Sequence, residues 1–422
     1  MSRISINEFI KQFSHYEATK QKATLVGRIH SVRIFGEKLS FADLVSNGEK
    51  IQIMCGPVKR GDIVEVTGTA HVTKTRQLTL KSESVSLLRK CLAREEFPSF
   101  KTGLVDSHLR QGKRYLDLIF NSLPLFEERS RILRDLRKIF WNEGFTEVET
   151  PIISKEAGGA LAKPFVTRST DGNELFLRIA PELYLKKCII GGMERIFELG
   201  KVFRNEGTDS THQPEFTSLE FYWSFTNLES VMQFVENNIL KRFVSVEGDI
   251  PRIDIIEELE KSIGKPVDLA VCRELFEEEL GKIGMDMSGP LHKLFDRLIG
   301  YYVEPKYIET GVFMMNHPVF NSPLAELHPQ KQLQTQRFEL FYKGMEIANG
   351  YVELGDPEEQ MQRFESQARE EGRADISEGD KEYVEALRMG LAPTVGCGIG
   401  IDRLVMLATK ADRIKDVILF PH

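Results

Sequence analysis

The first hundred residues contain short runs in which apolar and polar positions alternate, separated by turn residues. A period of two is the pattern of β-strands with one buried face. Five runs of this kind lie between Ala23 and Leu88, and Asn47-Gly48 between the second and third supplies the positive φ angles of a tight hairpin. The pattern predicts five short strands that close into a small barrel.

Basic and aromatic side chains are interleaved on the first two of these runs: Arg28, Arg33, Phe35, Lys38 and Phe41. A surface of this composition can stack and hydrogen-bond unpaired bases. The same residues also fit a structural β-module whose aromatic rings fill its own core, and this pattern alone leaves both interpretations open.

Beyond residue 98 the apolar period changes to three and four. Residues 124–143 predict a long amphipathic helix that stops at Gly144. The elements predicted after it are a strand over 145–153 that Pro151 halts, a helix over 180–190, strands over 195–206 and 216–226, mostly helix to about residue 300, strand structure over 338–354, and a glycine-rich segment over 396–410. We therefore expect an α+β protein in which helices pack on an antiparallel sheet, with domains at 1–98 and 99–422.

Composition indicates a globular protein, with 41% apolar and 28% charged residues and no apolar run long enough to span a bilayer. The five cysteines are scattered without a CxxC pair, which argues against a structural zinc site and against a disulfide framework. The first residues show neither a secretory nor an organellar signal. We expect a cytoplasmic protein that does not enter a membrane.

The net charge of −7 is unevenly divided along the chain. Residues 1–98 contain 16 Lys/Arg against 10 Asp/Glu, whereas the remainder contains 40 against 53. A basic N-terminal part could bind a polyanion while the acidic remainder acts on a cationic substrate. A chance imbalance of solvated surface charge explains the same numbers equally well.

A first candidate site flanks the loop between two predicted strands. Arg204 precedes this loop and Phe216 follows it, so their side chains lie on neighbouring strands. A guanidinium binds a phosphate or carboxylate with two parallel hydrogen bonds, and a flat ring can stack on a base. Arg-x-Glu on a strand is usually a surface ion pair and a strand phenylalanine is usually core, but the proline-bearing loop between them favours a nucleotide site.

A second candidate site is acidic and lies within residues 338–354. Its polar side chains are Glu339, Glu346, Asn349, Tyr351 and Glu353. If Lys343-Gly344 form a hairpin turn, Glu339 and Glu346 lie on facing strands and could share a divalent cation such as Mg²⁺. Apolar residues on both faces argue against a merely exposed acidic strand, and buried acids need a metal or a cationic ligand to compensate them.

A third candidate site is Gly396-Cys397-Gly398-Ile399-Gly400-Ile401-Asp402-Arg403. It does not match GxxxxGK[ST], and it is not placed in a βαβ unit, so a P-loop or Rossmann interpretation is poor. Close approach of a strand to a helix, with Arg403 projecting from the start of the helix, explains the glycines better.

In this order, the three sites resemble the signature motifs of class II aminoacyl-tRNA synthetases, and especially of the lysyl-tRNA synthetases. The strings that carry the resemblance are FTEVETP, GGALAKPF, RIAPELY, FRNEGTDSTHQPEFTSLEFY, FELFYKGMEIANGYVEL and GIGIDRLVML…IKDVILFP, and the match extends from about Ala23 to His422. The resemblance implies an OB-type barrel that reads the anticodon, a catalytic antiparallel sheet flanked by helices, and a homodimer built from the long helix and the proline-ended strand. It also implies lysine, ATP and tRNA(Lys) as partners and Mg²⁺ as cofactor.

The resemblance assigns roles residue by residue. Arg204 and Arg403 are the implied catalytic residues: Arg204 would bind the α-phosphate and the amino-acid carboxylate, and Arg403 would enclose adenine with Phe216. On the ATP side the resemblance adds Glu206, His212 and Glu339, with Mg²⁺ on Glu339 and Glu346. The implied lysine site comprises Gly158, Glu182 and Glu220 around the α-amino group, Tyr222 and Glu353 at the ε-ammonium, and Asn349 and Tyr351. The implied tRNA-binding positions on the barrel are Arg28, Phe35, Phe41 and Gln52.

The sequence departs from the family pattern at a few places. Gln213, Gly355 and Glu326 replace the usual Asn, Asn and a basic residue. Only residues 55–61 separate the third and fourth predicted strands, where family members usually insert a helix, so the barrel is expected to be abbreviated.

Three rival functions fit parts of the same pattern. A paralogue that lysylates a protein instead of tRNA characteristically lacks the barrel. Aspartate or asparagine specificity is disfavoured because Glu346 and Glu353 would repel an acidic substrate. A catalytically silent RNA-binding or regulatory protein is disfavoured by the presence of Arg204, Glu339 and Arg403.

Overall fold

The structure is a computed structural model of the 422-residue chain. It describes residues 3–14, 18–37, 39–97, 103–155, 162–370, 372 and 375–422. The chain divides into two compact units, Met1–Glu127 and Glu128–His422. The predicted domain boundary, between residues 98 and 99, falls outside the described residues and stays a prediction.

The first unit contains a closed five-stranded barrel with the strand order β1-β2-β3-β5-β4. The strands are β1 (Ala18–Ile34), β2 (Ser40–Ser46), β3 (Glu49–Cys55), β4 (Ile63–Val72) and β5 (Leu78–Arg89). Asn47 and Gly48 have φ angles of 50° and 76°, so the predicted hairpin is confirmed. Residues 56–62 connect β3 to β4 without a helix, as the sequence predicted.

Helix α1 (Ile6–Phe13) precedes the barrel and was not predicted. Ser5 caps it: the Ser5 hydroxyl accepts from the Glu8 N–H, and the Glu8 carboxylate accepts from the Ser5 N–H. Ile6, Phe9 and Phe13 are buried in the same apolar core as the inner faces of the barrel strands. The helix therefore adds a layer of packing to the abbreviated barrel.

After β5, the described residues of the first unit contain several short helices and turns. It comprises a 3₁₀ turn (Arg94–Glu96), α2 (Ser107–Gly112), α3 (Arg114–Asp117), a π-helical turn (Leu118–Ser122) and the first residues of α4 (Leu123–Asn142). A buried ion pair of 2.6 Å joins Arg114 to Asp117.

The second unit is built on an eight-stranded sheet with the order β12-β13-β14-β15-β16-β11-β10-β6, and a three-stranded sheet, β7-β9-β8, accompanies it. The strands are β6 (Thr146–Glu147), β7 (Ile153–Ser154), β8 (Val166–Arg168), β9 (Glu174–Leu177), β10 (Arg195–Phe203), β11 (Glu215–Ser224), β12 (Arg252–Asp254), β13 (Val312–Met315), β14 (Arg337–Tyr342), β15 (Met345–Val352) and β16 (Thr394–Gly400). In the large sheet the β10–β6 and β12–β13 pairs are parallel and the others antiparallel. The predicted helix-flanked antiparallel sheet is confirmed.

Helices flank this sheet. They are α5 (Glu182–Ile190), α6 (Leu228–Phe234), α7 (Lys241–Phe243), α8 (Ile255–Ile263), α9 (Arg273–Lys282), α10 (Leu291–Tyr302), α11 (Pro357–Glu370), α12 (Glu378–Leu387), α13 (Ile401–Thr409) and α14 (Ile414–Val417), with a π-helical turn at Val235–Leu240 and 3₁₀ turns at Glu304–Tyr307 and Val319–Asn321. Phe140 of α4 is buried against the rings of Phe197 and Phe221 on β10 and β11. This contact fixes the predicted amphipathic helix on the sheet.

Among the residues that the structure describes, no helix is long and apolar enough to cross a membrane.

Candidate active site

A cavity of about 640 Å³ lies in the second unit. Strands β11, β14, β15 and β16, helices α5 and α13, and the loop after β10 all contribute to its wall. Its lining contains every described residue that the sequence assigned to ATP, lysine or metal: Glu182, Arg204, Glu206, His212, Phe216, Glu220, Tyr222, Glu339, Glu346, Asn349, Tyr351, Glu353 and Arg403. Gly158, the remaining predicted residue of this group, lies outside the described residues.

Strand register explains why these side chains share one cavity. Directly paired residues of antiparallel strands point to the same face of the sheet. One row across β14, β15, β16 and β11 consists of Glu339, Asn349, Gly398 and Glu220, and the next consists of Arg337, Tyr351, Gly396 and Tyr222. The glycines of β16 therefore form a floor without side chains between polar walls.

The hairpin between β14 and β15 brings Glu339 and Glu346 onto facing strands, as predicted. Lys343 and Gly344 occupy its turn with φ angles of 52° and 72°. Arg337 lies on the same strand face as Glu339 and pairs with its carboxylate, and its Nε donates to Oδ1 of the Asn349 side chain at 3.0 Å. Arg337 thus fixes two predicted site residues.

The nucleotide end of the cavity is formed by two arginines, a ring and a histidine. The guanidinium carbon of Arg204 lies 5.3 Å from the centre of the Phe216 ring. Nη2 of Arg403 donates to Nε2 of His212 at 2.8 Å, so the His212 proton resides on Nδ1, which lies 2.7 Å from Asp209. Glu206 lines the same cavity with an exposed side chain.

Asp402 fixes the start of α13, from which Arg403 projects. Its Oδ2 accepts from the Thr217 N–H at 2.7 Å, and its Oδ1 pairs with Arg129 of α4 at 2.6 Å. Arg403 also donates to the Glu346 carbonyl oxygen at 2.8 Å. Helix α13 is therefore tied to β11, α4 and β15, which orients Arg403 into the cavity.

Carboxylates crowd the end of the cavity beside the hairpin. Burial, and next the charge of Glu339, raise the pKa of Glu346. The same two causes raise the pKa of Asp296 to about 6 and contribute to raising that of Glu304 to about 7. The sequence analysis did not single out Asp296 or Glu304, which come from α10 and the turn after it.

This acidic end suits a divalent cation that also binds phosphate. Within the described ranges, no group of three or more His, Cys, Asp or Glu side chains is arranged to hold a metal by itself. Mg²⁺ usually takes only one or two protein carboxylates and completes its shell with water and substrate phosphates. Glu339 and Glu346, on facing strands, fit that mode of binding.

The opposite end of the cavity holds buried carboxylates and tyrosines. Burial, and next the charge of Glu182, raise the pKa of Glu220 to about 8. The Tyr351 hydroxyl donates to Glu182 at 2.5 Å. Glu353 is buried, and its Oε1 has no hydrogen-bond partner among the described residues. A cationic ligand would supply what this end lacks.

Lys186 of α5 also reaches this end, and sequence reasoning missed it. Its Nζ lies 2.6 Å from Glu182 and 2.5 Å from Glu353. The rings of Tyr351 and Tyr383 lie 5.6 Å and 5.4 Å from it. In the sequence its only signal is the four-residue spacing from Glu182, which places both on one face of a helix.

The predicted tRNA-binding residues lie on the barrel of the first unit. Phe35 is 61% exposed, and its ring meets that of half-buried Phe41 edge to face at 5.4 Å. Arg28 donates to the Gly61 carbonyl oxygen at 3.0 Å. Gln52 is only 5% exposed, and its side-chain oxygen accepts from Thr79 at 3.0 Å. The aromatic pair is thus open to solvent, while Gln52 faces the interior.

Comparisons with known proteins agree with this geometry. The family model described as tRNA synthetases class II (D, K and N) matches residues 106–422. A lysine–tRNA ligase of Aliarcobacter butzleri is 38% identical over 454 residues, covering 99% of this chain and 89% of that protein. A lysine–tRNA ligase of Mesomycoplasma hyopneumoniae is 38% identical, with 99% and 91% covered. A probable cytoplasmic lysine–tRNA ligase of Enterocytozoon bieneusi is 36% identical, with 97% and 88% covered.

The extent of these matches shows to which family the chain belongs. The family model covers both the sheet that carries the cavity and the helices around it. Each of the three relatives aligns with nearly the whole chain at more than one third identity. This chain therefore belongs to the D, K and N group of the class II tRNA synthetases.

Proposed function

We propose that this protein is a lysine–tRNA ligase, which activates lysine with ATP to lysyl-adenylate and transfers the lysyl group to the 3′ end of tRNA(Lys). The observation that carries the proposal is the acidic end of the cavity, where Glu182, Glu220 and Glu353 converge. Within a family that serves aspartate, lysine and asparagine, only lysine has a side chain that these carboxylates would attract. The names of the relatives point to the same amino acid.

In this proposal lysine lies with its ε-ammonium at Glu353 and Tyr222 and its α-ammonium near Glu182 and Glu220. Arg204 then receives the carboxylate at the boundary with the nucleotide end. Asn349 and Tyr351 complete the wall between the two ends. Gly158 is proposed to contribute at the α-ammonium as well.

ATP is proposed to bind with adenine between Phe216 and Arg403, while His212 and Glu206 contact the nucleotide. Cation–π contacts of this kind favour a flat, electron-rich base. When bound at Glu339 and Glu346, Mg²⁺ would neutralise charge on the phosphates. The Arg204 guanidinium would contact the α-phosphate, where charge develops during transfer.

The first reaction joins a lysine carboxylate oxygen to the α-phosphorus as the bond to the pyrophosphate leaving group breaks. Positioning and charge stabilisation supply the catalysis, and no protein nucleophile is required. In the second reaction a 3′-terminal ribose hydroxyl of tRNA attacks the lysyl carbonyl carbon, and AMP leaves. Arg204 would hold the shared carboxyl–phosphate region through both reactions.

We further propose that the protein acts as a cytoplasmic homodimer. Exposed apolar side chains near the end of α4 and around β7, namely Trp141, Ile152 and Ile153, favour this arrangement. One of the relatives is named as cytoplasmic. Sedimentation of the wild type as a dimer, and of Ile153→Asp with a raised dissociation constant, would support the dimer; a monomeric wild type would refute it.

The test of the activity is ATP–pyrophosphate exchange with each common amino acid in turn. The proposal predicts exchange that requires lysine and Mg²⁺. Exchange with aspartate or asparagine in place of lysine would refute lysine specificity, and a folded protein without exchange for any amino acid would support the silent, regulatory alternative.

A further inference from the structure

An ammonium group of the protein lies behind the lysine end of the cavity, against two carboxylates that line it. The Lys186 side chain is 0% exposed, and its Nζ is within ion-pair distance of both Glu182 and Glu353. Tyr351 and Tyr383 face the same Nζ with their rings. An isolated buried ammonium is costly, and this one is compensated by two carboxylates and two aromatic faces.

We propose that Lys186 is the internal counter-ion of the amino-acid pocket, which holds the carboxylates of Glu182 and Glu353 in place and leaves Oε1 of Glu353 for the ε-ammonium of the substrate. The inference deepens the proposed function and rests on it. Lys186 is a positioning residue, because it acts on the substrate through the carboxylates that it pairs with.

The charge balance of the pocket supports this role. Glu182, Glu220 and Glu353 carry three negative charges when ionised, and Lys186 and Arg204 carry two positive ones. When all three carboxylates are ionised, the net charge of −1 is balanced by the net charge of +1 on free lysine. Without Lys186 the net charge would be −2, in a place where burial disfavours unpaired charge.

The surroundings of the two Glu353 carboxylate oxygens also support the proposed role of Lys186. Oε2 forms an ion pair with Lys186 Nζ at 2.5 Å, and Oε1, like Oε2, accepts no hydrogen bond from the described residues. Gly396 lies beside Oε1, and a Cβ at this position would overlap that oxygen. The free oxygen therefore points to a part of the pocket that is kept clear of protein side chains.

The protonation of the acids depends on the same pair. Burial raises the pKa of Glu353, Lys186 opposes this, and Glu182 adds to it. Burial lowers the pKa of Lys186, but Glu182 and Glu353 together raise it above its usual value. The charged and titratable groups that face this site are Glu182, Lys186, Arg204, Glu220, Tyr222, Tyr351 and Tyr383.

Removal of the ammonium should therefore raise the pKa of Glu353 further, so that this carboxyl retains its proton near neutral pH. A carboxyl with a raised pKa is neutral below that pKa and regains its charge above it. Burial already raises the pKa of Glu353 with Lys186 in place, so without Lys186 this carboxyl should stay neutral, and the affinity for lysine low, throughout pH 7 to 8.5. A residue that merely fills the core would not change the KM for lysine selectively.

The experiment compares Lys186→Met with Lys187→Met in steady-state ATP–pyrophosphate exchange from pH 7 to 8.5. Lys187 is the matched control, because it follows directly on α5 but is partly exposed and pairs with Glu382 at 2.9 Å on the surface. We expect Lys186→Met to raise the KM for lysine about 30-fold or more at pH 7, the usual effect of breaking a buried charge pair, with little change in the KM for ATP. The increase should persist to pH 8.5, and Lys187→Met should behave as wild type.

Lys186→Gln serves as the second variant, because it keeps a polar side chain of similar size without the charge. It should show the same selective loss. A folded variant of either kind with an unchanged or lower KM for lysine overturns the proposal, and so does failure of both to fold while Lys187→Met folds, which would make Lys186 structural. Absence of lysine-dependent exchange in the wild type would instead refute the proposed function.

Discussion

Glu353 combines a buried position with an unsaturated carboxylate. One oxygen pairs with Lys186 and the other has no partner among the residues described. The backbone N–H of Glu353 donates to the Thr394 carbonyl oxygen at 2.9 Å, so its position just after β15 is fixed by the sheet. A buried acceptor of this kind gains most from a charged donor, such as the end of a lysine side chain.

We predict that Glu353→Gln raises the KM for lysine far more than the KM for ATP. Loss of the charge removes the partner of a desolvated ammonium and should cost about 2–4 kcal/mol of lysine binding. Steady-state exchange kinetics measure both constants. Glu326→Gln is the control. Glu326 is a partly buried glutamate that does not line the cavity. Equal increases in both constants for Glu353→Gln would show that Glu353 is structural.

Contacts between residues that are far apart in the sequence are the contacts that the sequence predicts least well. The pairing of Arg204 with Phe216 follows from one strand–loop–strand segment, and the structure brings them together as expected. Lys186 and Lys187 look alike in the sequence, yet one is buried and the other is partly exposed. Which of them meets Glu353 depends on the rotation of α5 against a strand far along the chain.

At the scale of elements, strand β16 determines how deep the cavity is. Its glycines pair with polar residues on both neighbours: Gly396 with Tyr351 and Tyr222, and Gly398 with Asn349 and Glu220. A strand with side chains at these positions would fill the space that we assign to the substrate. The sequence explained these glycines by close approach of a strand to a helix, whereas in the structure Gly396 and Gly398 lie beside polar side chains of the cavity.

We predict that Gly396→Ala impairs lysine activation more than Gly398→Ala does. A Cβ at Gly396 would overlap Glu353 Oε1 and lie 2.6 Å from Cε1 of Tyr222, whereas a Cβ at Gly398 would lie 3.6 Å from Cγ of Glu220, an ordinary contact. The strain and the blocked oxygen should together cost about 1–3 kcal/mol of lysine binding. The rise in melting temperature on adding lysine measures this loss. Equal shifts in the two variants would contradict the assigned depth of the lysine site.

The sequence contains clear signals for helix α1. The sequence Ser5-Ile6-Asn7-Glu8 carries a capping box, and Phe9 and Phe13 continue the apolar stripe of Ile6, so the helix itself was predictable. The packing of this stripe into the barrel core was not predictable, because it depends on where the barrel strands leave space.

At the scale of the whole molecule, the two units carry different parts of the proposed reaction. Residues 1–98, which include the barrel, carry more Lys/Arg than Asp/Glu, while the acidic cavity lies in the second unit. A polyanion and a cationic amino acid would then be held by different units. The alignments with the relatives extend over more positions than this chain has residues, which agrees with an abbreviated chain.

We predict that Phe35→Ala or Phe41→Ala weakens tRNA binding without changing lysine activation. A stacked base contributes about 1–3 kcal/mol, and these rings form the solvent-exposed aromatic pair on the barrel. Binding measured against salt concentration, beside pyrophosphate exchange, separates the two effects. We also expect a shallower salt dependence than for a barrel with the usual helix. If neither change weakens binding and anticodon changes leave charging intact, the barrel is a structural remnant.

The most direct test of lysine–tRNA ligation is to identify the product of charging. Purified protein would be incubated with unfractionated tRNA, ATP, Mg²⁺ and all common amino acids, and the charged tRNA would then be isolated, sequenced and analysed for its esterified amino acid by mass spectrometry. We predict lysine on tRNA with lysine anticodons. A different amino acid, or lysine-dependent pyrophosphate exchange without any charged tRNA, would contradict the proposed function.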